Sequence, residues 1–352
     1  YEEILKQIKK YKPLYFVITN FLVFNKIKSK TKGNKTKILN KFNQIPLKMK
    51  FDITIAGIVG LAGLEPTIQF CKQSKKLLLA NKESIICGWH ILSKIIKKNK
   101  TLLIPIDSEH FSIKQLTNGY VDSDIKKIYI TASGGPFLDF NLGQLKNINP
   151  KEAIKHPKWK MGKKISVDSA TLMNKLLELI EAQRLFNLPE KKIEILIHPE
   201  SLVHAIVEFK NGLTKFIYHE TSMIIPLANG IFDNKLEINN FLKLSNNNRH
   251  NDMIKNLTFK KVSKKNFPII HIKNRINEYP SSPIILNASN EILVDQFLQK
   301  KIPFLSIIKI IMTILNDRNY KKYAIRKPKN INQINEIDAW ARQKTLDKIK
   351  LK

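Results

Sequence analysis

Short apolar segments alternate with helical patterns over residues 1–106, and this alternation restricts the fold more than any other feature of the chain. Apolar residues recur at helical spacing in Glu65–Gln73 and Glu83–Lys98. Parallel strands need a crossover connection, usually a helix, so the alternation predicts a parallel sheet with helices on its faces. The predicted strands are YFVITN, KTKILN, FDITIAGIVG, KKLLLAN and TLLIPID.

A glycine-rich phosphate loop would mark the first strand of a dinucleotide-binding sheet. The nearest pattern here is Gly57, Gly60 and Gly63, whose spacing differs from that fingerprint. We therefore expect residues 1–106 to form a partial Rossmann-like, nucleotide-type fold that lacks its phosphate loop. Tyr1 stands inside a helical pattern in place of a Met, which is typical of a fragment whose targeting segment, if any, lies upstream.

Polar side chains follow two of the predicted strands at the points where these strands end. They are Asn81, Lys82 and Glu83 after the fourth strand, and Asp107, Ser108, Glu109 and His110 after the fifth. Ligand sites of open parallel sheets lie at the carboxyl ends of strands, so both clusters stand where chemistry is expected. If the strand continues, Asp107 and Glu109 point the same way, and paired carboxylates suit Mg²⁺ or Mn²⁺. The alternative is an ordinary capped turn between a strand and a helix.

The stretch His156–Ala182 joins a loop that contains Lys and Trp to an amphipathic helix. Asp168 or Ser169 is the predicted N-cap. Helical spacing places Leu172, Met173, Leu176, Leu177 and Ile180 toward a core, and Thr171, Asn174, Lys175, Glu178 and Glu181 on the other side. Free N–H groups at the helix start, with hydroxyl, amide and ammonium groups nearby, suit a phosphate. The alternative is a solvated helix face.

Glycines bracket the loop that leads into this helix. Gly134–Pro136 forms a natural hinge at one end, and Gly162 stands at the other. The loop carries three large side chains, His156, Trp159 and Met161. A hinged loop with a large aromatic side chain is typical of a lid that excludes water from a closed site. A surface loop anchored by one Trp is the alternative.

Residues 193–233 read as antiparallel strands around a short helix, and His198 and His204 are interpreted as core or turn histidines. Residues 240–256 are rich in Asn and typical of a linker. Amphipathic helices are predicted after Ser281 in LNASNEILVDQFLQ, FLSIIKIIMTILND and EIDAWARQKTLDKIK. The predicted domains are a cofactor domain at 1–106, an α/β catalytic domain with a flexible lid at 107–233, a linker at 234–280 and a helical domain at 281–352.

The formal charge of +32 raises the question of nucleic acid as a partner. Six of the 61 basic residues are Arg and the lysines are spread over the chain, whereas readers of bases and phosphates favour clustered Arg. Nucleic acid is therefore not expected. A membrane span is not expected either, because no uncharged apolar run approaches the ~18–20 residues that a helix needs. Cys71 and Cys87 are interpreted as core thiols in a reducing compartment.

The chain contains, in this order, the segments LANKES, DSEH, SGGPF, HPKWKMGKKISVDSATLMNK, IHPESLVHAIV and LNASNE. Together they resemble the 1-deoxy-D-xylulose 5-phosphate reductoisomerase family of the non-mevalonate isoprenoid pathway, from about residue 52 to the C-terminus and more weakly before it. The resemblance implies conversion of 1-deoxy-D-xylulose 5-phosphate to 2-C-methyl-D-erythritol 4-phosphate. Retro-aldol cleavage and re-aldolisation would give a branched aldehyde, which NADPH reduces.

By position, the resemblance implies a Mg²⁺ or Mn²⁺ site at Asp107, Glu109 and Glu178. These three carboxylates, together with Lys82 and His156, would be the catalytic residues. A metal ion held by carboxylates acts as a Lewis acid, and here it would bind the ketone and hydroxyl oxygens of the sugar phosphate.

The resemblance also implies the residues that surround the substrate and the cofactor. The substrate phosphate would be held by Ser133, Ser169, Asn174 and Lys175. Further substrate contacts would come from Lys82, Ser108, Glu109 and Glu178, with His156 and Trp159 closing over the substrate as lid residues. NADPH would touch Asn81, Glu83 and Gly162.

Three departures from the family accompany the resemblance. The first β-α-β unit with its NADPH phosphate loop has no counterpart here, Leu176 stands where the family has Gly, and the segment with Thr221, Ile224 and Ile225 is less polar. One alternative is therefore a truncated or decayed homologue that binds metal and sugar phosphate without hydride transfer. A more remote alternative is a basic nucleic-acid-binding protein. Family membership also implies a homodimer in the bacterial cytoplasm, or in an organelle if a targeting segment lies upstream.

Overall fold

A computed structural model describes residues 1–351, except Lys32, Asn34, Lys160 and residues 239–256. Its strands are β1 Tyr15–Val17, β2 Lys37–Leu39, β3 Phe51–Ala56, β4 Ser74–Leu79, β5 Leu102–Pro105, β6 Ile125–Ala132, β7 Ile193–Ile197, β8 Val203–Phe209, β9 Thr214–Tyr218 and β10 Lys260–Lys261.

The α-helices are α1 Glu2–Tyr11, α2 Phe21–Lys30, α3 Leu64–Cys71, α4 Lys82–Ile86, α5 Trp89–Asn99, α6 Ser108–Leu116, α7 Leu142–Leu145, α8 Pro150–Ala153, α9 Lys163–Thr171, α10 Met173–Leu185, α11 Ile224–Phe232, α12 Ser282–Leu298, α13 Ser306–Leu315, α14 Tyr320–Ala324 and α15 Ile331–Lys350. The 3₁₀ helices are Phe42–Gln44, Leu61–Gly63, Gly135–Phe137, Glu190–Lys192 and Pro268–Arg275.

The predicted alternation of strands and helices in residues 1–106 is confirmed, and β1 to β5 lie within the five predicted segments or one residue beyond them. Their pairing is parallel, with β1 beside β2 and with β3, β4 and β5 in a second sheet. In that second sheet Ala56 pairs with Leu79, and Leu79 pairs with Pro105. The three strands therefore end at one edge of the sheet, and the two polar clusters begin there.

The helical pattern Glu83–Lys98 is divided between α4 and α5 at Cys87 and Gly88. A Cβ atom at Gly88 would collide with the Leu64 side chain of α3. Glycine at this position permits the close approach of α3 to the break between α4 and α5.

The second large sheet is mixed, with the strand order β10-β7-β6-β8-β9. β6 runs parallel to β7 and antiparallel to β8, and β8 is antiparallel to β9. The prediction of antiparallel strands around a short helix in residues 193–233 was therefore wrong in part. β6 lies between β7 and β8, and α11 follows the strands. β6 lies more than 60 residues upstream, and nothing in the local sequence of residues 193–233 indicates that it pairs there. Its place between β7 and β8 was therefore not predictable from local pattern.

One apolar core runs from Ala56 to Ala341 and includes the inner faces of α10, α12, α13 and α15. The predicted C-terminal helices are confirmed as α12, α13 and α15. Within the predicted linker, residues 240–256 lie outside the described residues, whereas Ile269 and Ile272 are buried in the core. The domain limits stay predictions. Among the residues that the structure describes, no helix is long and apolar enough to cross a membrane.

Candidate active site

Two helices, α9 and α10, take the place of the single helix predicted from Asp168 or Ser169. Both residues lie in the last turns of α9, so the predicted N-cap was wrong. Leu172, with φ of 67°, separates the two helices. A leucine with positive φ is rare, and no sequence signal marks it. The helix that carries Asn174, Lys175 and Glu178 therefore begins at Met173. Two N–H groups of its first turn already donate, that of Met173 to Thr171 Oγ1 at 3.3 Å and that of Lys175 to the Leu172 carbonyl oxygen at 3.2 Å.

The polar side of α10 is buried rather than solvated. The predicted core residues Leu172, Met173, Leu176, Leu177 and Ile180 are at most 1% exposed. On the other side, Glu178 and Glu181 are 1% and 2% exposed, and Asn174 and Lys175 are 9% and 8% exposed. The alternative of a solvated helix face was therefore wrong. A buried row of ionisable groups needs partners, because burial of an unpaired charge is costly.

Three carboxylates converge on one point, as the sequence predicted. Oxygen atoms of Asp107, Glu109 and Glu178 all lie within 4.8 Å of one another. An extended strand is not the cause, because β5 ends at Pro105 and Asp107 caps α6 by accepting the Glu109 N–H at 3.3 Å. The first turn of α6 instead aims both side chains at α10. Three oxygen donors from separate segments fit a hard divalent cation.

The crowding of these carboxylates changes their proton affinities. Burial raises the pKa of Glu178 to about 8, and the negative charge of Glu109 adds to this rise. Burial likewise raises the pKa of Glu109. Burial acts in the same direction on Asp107, but attraction to Lys82 and His110 outweighs it and holds the pKa of that carboxyl well below its usual range. A cation held by the three side chains would relieve the repulsion between them.

Two buried ammonium groups stand beside the carboxylates. Lys175 donates to Glu109 Oε1 and, at 2.7 Å, to Glu178 Oε2. Lys82 Nζ lies 2.8 Å from Asn174 Oδ1 and 3.5 Å from Asp107 Oδ2. Burial lowers the pKa of Lys82, but attraction to the nearby carboxylates outweighs burial and raises it above the usual value. Both lysines are therefore cations at neutral pH.

Two adjoining cavities contain the predicted site residues. One is lined by Asp107, Ser108, Glu109, Ser133, His156, Trp159, Ser169, Asn174, Lys175 and Glu178. The other is lined by the remaining ones, Asn81, Lys82, Glu83 and Gly162, together with Gly57, Val59, Ala80, Lys164 and Asp168. Ile165 and Asn174 line both cavities. The geometry brings all predicted site residues together, and their individual roles stay predictions.

His156 connects the lid to Ser133. Its Nδ1 accepts the backbone N–H groups of Lys158 and Trp159 at 3.2 and 2.8 Å. Burial and the positive charge of Lys175 lower the pKa of His156 to about 4, so the ring is neutral and carries its proton on Nε2. That N–H donates to Ser133 Oγ at 2.9 Å, and Gly135 N–H donates to the same oxygen at 3.1 Å. The Ser133 hydroxyl proton is therefore free to donate into the cavity.

The glycine hinge has a definite packing role. Gly134 and Gly135 have φ of 85° and 66°. A Cβ atom at Gly135 would lie 3.0 Å from the Ser169 carbonyl oxygen and 3.0 Å from Ala170 Cα. Glycine therefore lets the end of β6 pack directly on α9.

Two buried groups lie behind the carboxylates, His110 and Glu181, which sequence reasoning placed near the site but to which it gave no role. His110 Nε2 lies 2.9 Å from the Glu178 carbonyl oxygen, and its Nδ1 lies 3.3 Å from Asp107 Oδ1 and 3.9 Å from Glu181 Oε2. Burial lowers the pKa of His110, but attraction to Glu181 and Asp107 outweighs burial and raises it to about 9. The spacing of Asp107 and His110, one helical turn apart, was the available signal.

The two histidines of residues 193–233 differ from each other. His198 sits in a turn, where its Nε2 accepts the N–H groups of Leu202 and Val203, both at 3.1 Å. His204 is buried but also lines the first cavity, and Trp159 packs edge-on against it with ring centroids 5.9 Å apart. The interpretation as a core or turn residue is therefore incomplete for His204.

Comparison with known proteins places these features in a family. Residues 1–88 match the model described as 1-deoxy-D-xylulose 5-phosphate reductoisomerase, and residues 103–186 and 220–344 match models of its C-terminal domain. The motifs indicated a resemblance mainly from about residue 52 onward. The match to residues 1–88 extends the similarity to the residues before this point.

Relatives and solved structures agree with the family models. The chain is 41% identical to 1-deoxy-D-xylulose 5-phosphate reductoisomerase of Pelagibacter ubique over 96% of its own length and 87% of the relative's. It is 40% identical to the enzyme of a Wolbachia strain from Drosophila simulans, over 84% and 76% of the two chains.

Two solved structures have the same fold. The Zymomonas mobilis enzyme in complex with NADPH superposes with a TM-score of 0.88 at 30% identity, and covers 99% of this chain and 89% of that one. A reductoisomerase in complex with NADPH, fosmidomycin and magnesium gives 0.89 at 31% identity, with the same coverage. The chain belongs to the 1-deoxy-D-xylulose 5-phosphate reductoisomerase family.

Proposed function

We propose that this chain converts 1-deoxy-D-xylulose 5-phosphate to 2-C-methyl-D-erythritol 4-phosphate, with NADPH as reductant and Mg²⁺ or Mn²⁺ as the metal. The observation that carries the proposal is the cavity in which Asp107, Glu109 and Glu178 meet, beside a second cavity at the strand ends that Asn174 also lines. Relatives that bear this activity match most of the chain.

The metal would be held by Asp107, Glu109 and Glu178. Without a metal, the repulsion between these carboxylates is reduced by the ion pairs of Lys175 with Glu109 and Glu178. When bound, the metal supplies Lewis-acid polarisation of the sugar oxygens and NADPH supplies the hydride. Both Mg²⁺ and Mn²⁺ accept three carboxylates, so either ion fits the donor set.

The phosphate of the substrate would lie against the start of α10 and the end of α9. Ser133 supports this placement because its hydroxyl proton is free to donate once His156 and Gly135 have donated to its oxygen. Ser169, Asn174 and Lys175 line the same cavity. Hydroxyl, amide and ammonium donors are suited to a dianion.

The reacting carbons would lie near Lys82 and Asn174, which stand between the two cavities with Lys82 Nζ 2.8 Å from Asn174 Oδ1. The cofactor would occupy the cavity beside Asn81, Glu83 and Gly162. Trp159 would cover the site as a lid and exclude water, since it lines the first cavity from the loop side.

A homodimer and a bacterial cytoplasmic location complete the proposal. β9 forms an edge of the mixed sheet among the described strands; Phe216 in it and Leu213 just before it are 49% and 52% exposed. Apolar side chains on a sheet edge suit association with a second copy. Both cysteines are free and buried, and the relatives named above are bacterial.

The test is substrate-dependent NADPH oxidation with Mn²⁺ present. Glu178→Gln should lower turnover by orders of magnitude, because one of three charged ligands is lost. Glu3→Gln, on an exposed position of α1, is the matched control and should keep wild-type turnover. Metal-dependent turnover that survives in Glu178→Gln would refute the metal assignment. A silent wild-type chain that still binds Mn²⁺ and the sugar phosphate would favour a homologue without hydride transfer.

A further inference from the structure

One polar contact joins the C-terminal helices to the candidate active site. Asn290 of α12 donates from Nδ2 to Asp168 Oδ1 of α9 at 2.7 Å. Both side chains are buried, and 122 residues of sequence separate them. The other carboxylate oxygen of Asp168, Oδ2, lies 3.1 Å from Lys164 Nζ, one helical turn earlier on α9. One carboxylate oxygen of Asp168 therefore contacts Asn290, and the other contacts Lys164.

The contact continues into the second cavity. Lys164 Nζ lies 3.9 Å from Glu83 Oε1 on α4, and Glu83 Oε2 accepts from Asn81 Nδ2 at 3.0 Å. Asn81, Glu83, Lys164 and Asp168 all line this cavity. A continuous polar chain thus runs from α12, through α9, to the strand-end cluster on α4.

The position of α9 gives this chain its importance. The helix begins directly after Gly162, the end of the predicted lid, and Ser169 lies in its last turns. Asp168 precedes Ser169 by one residue. Any force on the Asp168 carboxylate therefore acts on the helix that carries both a phosphate ligand of the proposed site and the end of the lid.

Stability alone gives a poor account of Asn290. Its Oδ1 is buried and accepts no hydrogen bond from any residue that the structure describes. A buried amide whose oxygen accepts no hydrogen bond costs stability relative to an apolar residue of similar size. Polar groups retained in that setting are better explained by the specific orientation that they impose.

We propose that Asp168 and Asn290 are positioning residues. They hold α9 so that Ser169 contacts the substrate phosphate and Gly162, at the end of the lid, lies beside the cavity. This inference rests on the proposed function of the cavity. It gives the C-terminal helices a part in substrate binding, beyond the structural role that their apolar pattern indicates.

The first test compares two isosteric substitutions, Asp168→Asn and Asp338→Asn. Asp338 is a buried carboxylate of α15 whose recorded partner is Arg342 on the same helix, so it matches Asp168 in type and burial. Asp168→Asn should raise KM for the sugar phosphate by about tenfold to a hundredfold, with a smaller fall in kcat, since a small displacement of a binding group has effects of this size. Asp338→Asn should leave KM within about twofold of wild type, well below that range.

A second measurement does not depend on turnover. Amide hydrogen exchange of residues 163–171 should accelerate in Asp168→Asn and in Asn290→Ala, and stay at the wild-type rate in Asp338→Asn.

Three results would overturn the inference: wild-type KM in Asp168→Asn, unchanged exchange in α9, or equal effects in the Asp338→Asn control. If Asp168→Asn does not fold, Asn290→Ala supplies the same comparison. A wild-type chain without turnover would refute the proposed function, while the exchange experiment would still decide whether Asn290 and Asp168 hold α9.

Discussion

Lys175 and Glu178 lie one turn apart on α10, with Lys175 Nζ 2.7 Å from Glu178 Oε2. The same ammonium bonds Glu109, so one buried cation serves two of the three clustered carboxylates. If these carboxylates held a divalent ion, the ammonium would be free to bind a phosphate. We therefore expect Lys175 and a metal ion to balance the charge of the carboxylates in turn.

Lys175→Met should destabilise the metal-free protein by about 3–5 kcal/mol, because two buried carboxylates lose their cation. Saturating Mn²⁺ should restore most of this loss. Urea unfolding in EDTA and in Mn²⁺ measures both values. Lys76→Met is the control, since Lys76 pairs with an Asp233 side chain that is 63% exposed, and its loss should cost less than about 1 kcal/mol. A loss for Lys175→Met no greater than the control's would contradict this role of Lys175.

Metal affinity should rise with pH up to about 8, the value to which burial raises the pKa of Glu178. A protonated carboxyl cannot bind the ion, so binding below this pH must release a proton. Titration of Mn²⁺ between pH 6 and 9, followed by electron paramagnetic resonance, measures the apparent affinity. A flat profile would rule out Glu178 as a ligand that must lose a proton.

Stability of the metal-free protein should fall as pH rises from about 5 to about 8. The pKa of Glu178 is raised from 4.5 to about 8 in the folded state, so the folded protein binds the extra proton in this window and loses that advantage as pH rises. His110, whose pKa is raised from 6.5 to about 9, acts in the same direction. Thermal unfolding in EDTA across this range measures the slope. Glu178→Gln should reduce the slope of stability against pH. An unchanged slope would show that another group causes the pH dependence.

Trp159→Ala should lower kcat by about tenfold while Mn²⁺ affinity stays nearly unchanged, because the lid excludes water from the site but supplies no metal ligand. Trp340→Ala removes an aromatic side chain that stacks on Tyr323 in the C-terminal helices, at a centroid distance of 4.3 Å. This control should lower the unfolding temperature without changing KM. Loss of metal affinity in Trp159→Ala would argue against a lid.

Gly135→Ala should raise KM for the sugar phosphate by about tenfold, since a Cβ atom there would press on the Ser169 backbone and misplace its hydroxyl. Gly212→Ala is the matched control, because Gly212 also has positive φ but open space around the added atom. Both substitutions carry a backbone strain of about 1 kcal/mol, visible in thermal unfolding. Equal KM values in the two variants would show that contact with α9 is unimportant.

The sequence predicted the parts of the site that depend on local pattern. Asn81 to Glu83 and Asp107 to Glu109 were placed correctly because parallel strands that start in register also end together. The break at Leu172 was missed because a leucine with positive φ resembles any other helical leucine in sequence. The partnership of His110 with Glu181 was missed because it joins α6 to α10 across 71 residues, a separation at which spacing carries no information.

The turn at Leu172 has a mechanical consequence. α10 carries Glu178 and is enclosed by the core, whereas α9 begins at the lid and ends at this turn. The turn therefore lets the two helices take different directions within one core. Each can be held by its own contacts, α10 by the residues around the carboxylates and α9 by the contact of Asp168 with Asn290.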